Sequence, residues 1–415
     1  MIILINKKSG VKVKKFFLFL MLVTNSFFAC TSIIISGKAS ADGRPIMWKH
    51  RDSDYEQNKL MYFQGPKYYF IGVVNSVDAN GKEVWMGSNN TGFSIINTAS
   101  YNLNDYSTCN APSDQEGLLM KEALGRFSTV KEFEEFLLKE KGKWGVEANF
   151  GVIDAKGGAA YFEVDCKTVT KYDVNDPAVA PNGYLIRTNF SCSGKEKEGY
   201  GYFRYETATK IFDEAYKNKN LTVSFVLDVA DRNLQHSALG NDLYKSDLPK
   251  DTTDKKFIHF RDYIVRNSST STMIIQGVKP EEDPAFTTLW TVLGWQLTTI
   301  VTPVWVAAGK DLPVVTVASG KETAPVNKKG LVLKEKCFPL DYDNGKDYLN
   351  VSAVLNKEGS GIVQTLLPKE KPIVEKAAGL IDGWRKNKFN KEEAKQFYNW
   401  LDEYVTEVYK DIYGI

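Results

Sequence analysis

Residues 30–54 restrict the fold more than any other stretch of this chain. They begin Cys30-Thr31-Ser32-Ile33-Ile34-Ile35 and turn at Asp42-Gly43. A second run, Pro45-Ile46-Met47-Trp48, then leads to Arg51-Asp52-Ser53-Asp54. β-branched and apolar residues on both sides of a glycine turn predict a hairpin. No polar tether separates the cysteine from the first strand, so its thiol is held at a sheet end rather than on a flexible arm.

The stretch before the hairpin reads as a leader. Lys7, Lys8, Lys12, Lys14 and Lys15 precede an apolar run over residues 16–23, and Thr24-Asn25-Ser26-Phe27-Phe28-Ala29 follows. Charged, apolar, then polar is the order of a secretory signal, and the apolar run is shorter than the roughly 20 residues of a spanning helix. The expectation is a signal peptide over residues 1–29 and a secreted or periplasmic chain over 30–415, one catalytic domain with a helical C-terminal region from about 368. No integral membrane segment is expected after processing. Phe27, three residues before the cut, is larger than signal peptidase prefers, which leaves open a second step such as self-removal of a short remnant. Lipid attachment at Cys30 is the rival fate, and Phe28 fits it poorly.

A nucleophilic thiol needs a base, usually histidine. The chain has three, His50, His236 and His259, none in a Cys/His protease context. A cysteine that becomes residue one carries its own base, because a free α-amine titrates at about 7.7–8.0. That amine can take the thiol proton and later return it to a leaving amine. The five cysteines are Cys30, Cys109, Cys166, Cys192 and Cys337. With Cys30 free, the other four form at most two disulfides or stay reduced and buried.

From Cys30 to Asp54 the chain resembles the N-terminal-nucleophile (Ntn) hydrolases that act on linear amides. That group includes penicillin V acylase, choloylglycine (bile salt) hydrolase, acyl-coenzyme A:6-aminopenicillanate acyltransferase and related cysteine dipeptidases. Their mature chains begin Cys-Thr and return from a hairpin with Arg-x-x-Asp, the spacing of Arg51 and Asp54. The resemblance implies that Arg51 lies beside the thiol and that Asp54 holds the α-amine. The block Gly87-Ser88-Asn89-Asn90-Thr91-Gly92-Phe93-Ser94-Ile95-Ile96-Asn97 is similar to the family's glycine turn and strand ending at an oxyanion-binding asparagine, here Asn97. Thr188-Asn189 is similar to its strand-end pair, with Asn189 in the active site. Glu163 and Arg204 read as scaffold, and no spacing assigns Arg266 a role.

The resemblance covers roughly Cys30 to Val306. It implies an α+β fold, a four-layer αββα sandwich of two antiparallel sheets, and agrees with the order of strands and helix pairs along the chain. Helices are expected over Gln115–Phe127, from the capping box Thr129-x-x-Glu132 to Leu138, over Tyr200–Tyr216, Val223–Asn233 and Asn390–Tyr409. The last carries a stripe of Ala394, Phe397, Trp400, Leu401, Tyr404 and Val405. Late strands are expected at Ser269–Ile275, Thr287–Gly294 and Thr302–Val306.

The expected chemistry is hydrolysis of a linear amide through a thioester on Cys30, with a small acyl-amide as substrate. Bile salts rank lower, because Arg51-Asp52-Ser53-Asp54 lacks the form common in those enzymes. Acyl transfer or dipeptide cleavage by the same nucleophile, or a lipid-anchored binding protein without activity, are the alternatives. A net charge of +2, from 53 basic and 51 acidic residues, gives no case for a nucleic-acid partner. No metal-ligand spacing or phosphate-binding glycine pattern is present, so no cofactor is expected. Oligomeric state is not legible.

Overall fold

The computed structural model describes residues 30–103 and 111–415; the expected signal segment and Cys109 lie outside them. The chain enters β1 (Thr31–Ile35) and returns through β2 (Ile46–Asp52). A meander comes next: β3 (Asn58–Gln64), β4 (Tyr69–Asn75), β5 (Met86–Asn89) and β6 (Ser94–Ala99). Helices α1 (Glu116–Arg126) and α2 (Val130–Lys139) lead to β7 (Ala148–Ile153), β8 (Ala159–Val164), β9 (Val169–Asp173) and β10 (Tyr184–Arg187).

The long helix α3 (Tyr202–Lys217) and the three-residue α4 (Val223–Phe225) come after β10. Short pairings β11 (Gln235–His236) with β12 (Asn241–Asp242), and β13 (Phe257–His259) with residues Tyr348–Asn350 further on, decorate the next stretch. β14 (Ser269–Gln276), β15 (Thr288–Leu293) and β16 (Thr302–Trp305) are the last long strands. Then come α5 (Pro325–Cys337), β17 (Tyr348–Asn350), α6 (Val351–Val354), α7 (Ile362–Leu366), α8 (Lys371–Lys386) and α9 (Lys391–Tyr413).

Two large sheets result, with strand orders β10-β1-β2-β14-β15-β16 and β3-β4-β5-β6-β7-β8-β9. Every pairing in them is antiparallel. They pack face to face. The Ser32 hydroxyl of one meets the Tyr161 hydroxyl of the other at 2.8 Å. Gly151 makes room for Ile34, since a Cβ built there would lie 3.1 Å from Ile34 Cδ1.

The outer face of the seven-stranded sheet is covered by Leu119, Leu124, Phe133 and Leu137 of α1 and α2, against Phe70, Ile95, Phe150 and Phe162. The six-stranded sheet is covered by the other long helices, with Phe212 of α3 against Trp48 and a Trp305–Trp384–Phe397–Tyr398 aromatic cluster further out. This is the expected αββα sandwich.

The capping box of α2 is present: Thr129 Oγ1 accepts from Glu132 N at 3.1 Å, and the Glu132 carboxylate accepts from Thr129 N at 3.2 Å. In α9 the stripe buries Ala394, Phe397, Leu401 and Val405, while Trp400 and Tyr404 stack on each other at its margin.

The helix expected over Val223–Asn233 is corrected. After α4 the chain takes a π-turn over Val226–Ala230, with Asp231 N donating to Val226 O at 2.8 Å. A π-turn holds one extra residue, which rotates the residues after it about the helix axis. Asp231 is thereby aimed at the underside of β2, where Trp48 Nε1 donates to its Oδ1 at 3.0 Å.

Candidate active site

Strand alternation builds the site. In β2, Met47, Lys49 and Arg51 point one way and Trp48 and His50 the other. Trp48 meets Phe212 of the helical layer, so Lys49 and Arg51 face the opposing sheet. The β1–β2 register pairs Thr31 with His50 and Ser32 with Lys49, and one step further brings Cys30 level with Arg51. Cys30 is 5% exposed. Its thiol approaches Asp52 O at 3.9 Å on the wall of a cavity of about 580 Å³ that Lys49, Arg51, Trp85 and Asn97 also line.

Two cations therefore flank the thiol. Lys49 Nζ donates to Asn97 Oδ1 at 2.6 Å and to Trp85 O at 2.8 Å. Burial pushes this ammonium down to about 8, while negative charge on the Cys30 sulfur pulls it back up. Arg51 lies over the Trp85 ring at 5.0 Å and donates to Asn75 Oδ1 at 2.9 Å. Burial holds its guanidinium below the ordinary value, again opposed by Cys30.

Of the expected site residues, Cys30, Arg51 and Asn97 share the cavity wall. Asp54 does not join them: it lies two residues past the end of β2, in a bend exposed to solvent. The carboxylate at the thiol end of the strand belongs to Asp52, which is 3% exposed. Its Oδ2 accepts from Arg266 Nε at 3.0 Å and from Arg266 Nη2, and its Oδ1 accepts from Ser269 Oγ at 2.6 Å. Lys49-His50-Arg51-Asp52 repeats the cation-x-x-Asp spacing two residues earlier, with lysine in place of arginine. That spacing was the available signal for Lys49 and Asp52.

Asn189 is fully buried and lies behind the cavity wall rather than on it. Its Nδ2 donates to Ala99 O at 2.8 Å, and its Oδ1 accepts from Arg204 Nη2 at 2.8 Å. Arg204 Nη1 in turn donates to Cys30 O at 2.5 Å and to Thr31 Oγ1 at 2.9 Å. Arg204 thus clamps the backbone of Cys30 to Asn189. Burial, and after it the charge of Arg266, holds the Arg204 guanidinium below its ordinary value. Glu163 is scaffold, accepting from Arg187 Nε at 2.8 Å and Cys192 N at 2.9 Å. Cys166 is disulfide-bonded, whereas Cys30, Cys192 and Cys337 are free.

The same cavity wall carries Glu83, Asp114, Glu116 and Glu147. Burial is the chief reason that Glu116 is pushed up to about 8 from 4.5, with Asp114 and Glu147 adding like charge. A carboxyl whose folded value lies above its unfolded one stabilises fully below the unfolded value and loses that contribution as pH rises through the folded one. Wild-type protein therefore loses stability between pH 4.5 and about 8 through this group. Thermal melts of Glu116→Gln against wild type are expected to show an advantage for the variant that grows across this window. A constant difference would refute the burial of a proton at Glu116.

Among the described residues no helix is long and apolar enough to cross a membrane, and no group of His, Cys, Asp and Glu could hold a metal ion. No family model and no curated protein matches the chain. Solved structures do. An N-acylethanolamine-hydrolyzing acid amidase (NAAA) ortholog of Caenorhabditis elegans is 15% identical, with 62% of this chain and 95% of that one covered at a TM-score of 0.41. A variant of the conjugated bile acid hydrolase of Clostridium perfringens is 11% identical, covering 66% and 92% at 0.40. Penicillin V acylase of Agrobacterium tumefaciens is 12% identical, covering 66% and 86% at 0.36.

Proposed function

We propose that this protein is a cysteine hydrolase of linear amide bonds, secreted or periplasmic, whose nucleophile is Cys30 once residues 1–29 are removed. The observation that carries the reading is the setting of the thiol. It is buried at a sheet end on a cavity wall, between Lys49 and Arg51, with an asparagine amide fixed in the same cavity.

In this reading the α-amine of Cys30 takes the thiol proton, and Asp52 anchors that amine in the role that the family spacing gives to Asp54. The sulfur attacks the amide carbonyl. With Asn97 Oδ1 occupied by Lys49, the Asn97 NH2 group faces the cavity and donates to the oxyanion. Collapse breaks the C–N bond, the amine proton passes to the leaving amine, and a thioester remains on Cys30. Water, deprotonated by the same amine, releases the acid; a second amine in its place gives acyl transfer. Arg204 and Asn189 hold the Cys30 backbone while the sulfur reacts.

The substrate class is an N-acyl amine, N-acyl amino acid or penicillin-like amide. The carboxylates lining the cavity favour a small peptide or another substrate bearing an amine, which brings dipeptide cleavage forward as the second reading.

Intact mass and N-terminal sequencing of extracytoplasmic protein test the proposal. The expected result is Cys30 as residue one, free and alkylated once by iodoacetamide. A diacylglyceryl adduct on Cys30, or a mature chain starting elsewhere, removes the nucleophile and favours the lipid-anchored alternative.

A further inference from the structure

Behind Asp52 runs a buried chain of hydrogen bonds that the proposed mechanism does not use. His50 Nε2 lies 2.8 Å from Ser269 Oγ, and His50 Nδ1 lies 3.0 Å from Asp231 Oδ1. Both His50 and Asp231 are fully buried.

Donor counting fixes the protons. Ser269 has one hydroxyl proton and gives it to Asp52 Oδ1 at 2.6 Å, while its oxygen accepts from Arg266 N at 3.1 Å. His50 Nε2 must then donate to Ser269. At the other end, Asp231 Oδ1 already accepts from Trp48 Nε1 at 3.0 Å and from Thr272 Oγ1 at 2.6 Å. The indole can only donate. The Thr272 hydroxyl oxygen accepts from Gln296 Nε2 at 3.0 Å, which leaves its proton for Asp231. Oδ1 thus takes both donors while Asp231 Oδ2 has no partner, and His50 Nδ1 approaches Oδ1 at 3.0 Å; with the shared proton on the imidazole, Asp231 is a carboxylate and Nδ1 a further donor. A neutral imidazole donates from one nitrogen only; two donations require the imidazolium.

The fold commits an irregular element to this contact, because the π-turn over Val226–Ala230 delivers Asp231 to it. Single π-turns inside helices occur frequently at functional sites.

We propose that His50 is a positioning residue, held as an imidazolium by Asp231 and fixing Asp52 behind Cys30 through Ser269. The charges then run Asp231 negative, His50 positive, Asp52 negative, Arg266 positive, so the buried line is neutral overall and each carboxylate has a cationic partner. This inference rests on the role proposed for Asp52.

The test is nitrogen NMR of the mature protein labelled in its three histidines, with His50→Gln as the assignment control. At about pH 7.5, where a free imidazole is mostly neutral, both ring nitrogens of His50 are expected to carry a directly bonded proton. A single protonated nitrogen overturns the proposal, and where His50→Gln does not fold, His236→Gln and His259→Gln assign the His50 signals by elimination. In Asp231→Asn the second proton should be lost. In folded His50→Gln, iodoacetamide should alkylate Cys30 about a hundredfold more slowly than in wild type, with an altered pH profile. An unchanged rate and profile refute the positioning role. Wild-type Cys30 inert to iodoacetamide would instead refute the nucleophile reading, and the NMR result would still stand on its own.

Discussion

Replacing Cys30 with alanine is expected to abolish amide hydrolysis, a loss on the order of 10⁶-fold in kcat, as when the nucleophile of a coupled catalytic group is deleted. The size comes from the concentration of roles in one residue. Under the proposed mechanism Cys30 supplies the attacking sulfur and the amine that shuttles the proton, and alanine keeps only the amine. Stability should change little. The Cys30 side chain faces a cavity rather than the packed interior, so its loss opens no new void. Turnover of an acyl-amide panel, compared with thermal melts of the same preparations, checks both halves. A variant that melts with wild type and still hydrolyses the substrate would remove Cys30 from the chemistry.

The second large effect is expected at Lys49. Methionine there deletes the cation beside the sulfur and frees the Asn97 amide to rotate, since Lys49 Nζ holds Asn97 Oδ1 at 2.6 Å. Loss of one oriented oxyanion donor costs about 10²–10³-fold in kcat, and KM should move far less, because the interaction matters most once charge has developed. The pH profile separates this role from mere packing. With the ammonium held near 8, the charge by the thiol is present below that pH and lost above it, so activity should fall on the alkaline side. Lys49→Arg should carry this limb to higher pH. Glu116 is also placed at about 8, but Glu116→Gln should leave the limb where it is. A limb that tracks Glu116 and ignores Lys49 would reverse the assignment.

Features written locally were legible in the amino-acid order. The Cys30 hairpin, the Thr129 capping box and the aromatic stripe of α9 each depend on residues a few positions apart. Less local signals were missed. The expected pairing of Arg51 with Asp54 rested on a family spacing, whereas strand alternation brings Lys49 and Arg51 to the cavity, and Asp52 ends the same strand beside the thiol. A lysine in a strand normally reads as a solvent-facing residue; Lys49 is 1% exposed because two carbonyl oxygens are placed to receive it. The π-turn before Asp231 was read as ordinary helix, because its cause is a contact with β2, which lies 181 positions away at His50. Arg204 read as scaffold, and its hydrogen bonds to Cys30 O and Asn189 now say what it supports.

The strand that carries Cys30 is not at an edge. β1 lies between β10 and β2, and β2 lies against β14. Its neighbours therefore come from residues 184–187 and, one strand over, 269–276. Contacts so distant in sequence form late, since the intervening loops must be closed first. A chain emerging from a membrane channel would present Cys30 early, but neither Arg204 nor Arg266 would yet be available to it. Under the proposed mechanism the nucleophile would stay unarmed until most of the protein had arrived, which would protect nearby amides from a half-made enzyme. On that reading, the interval between synthesis and assembly would work as a safety catch.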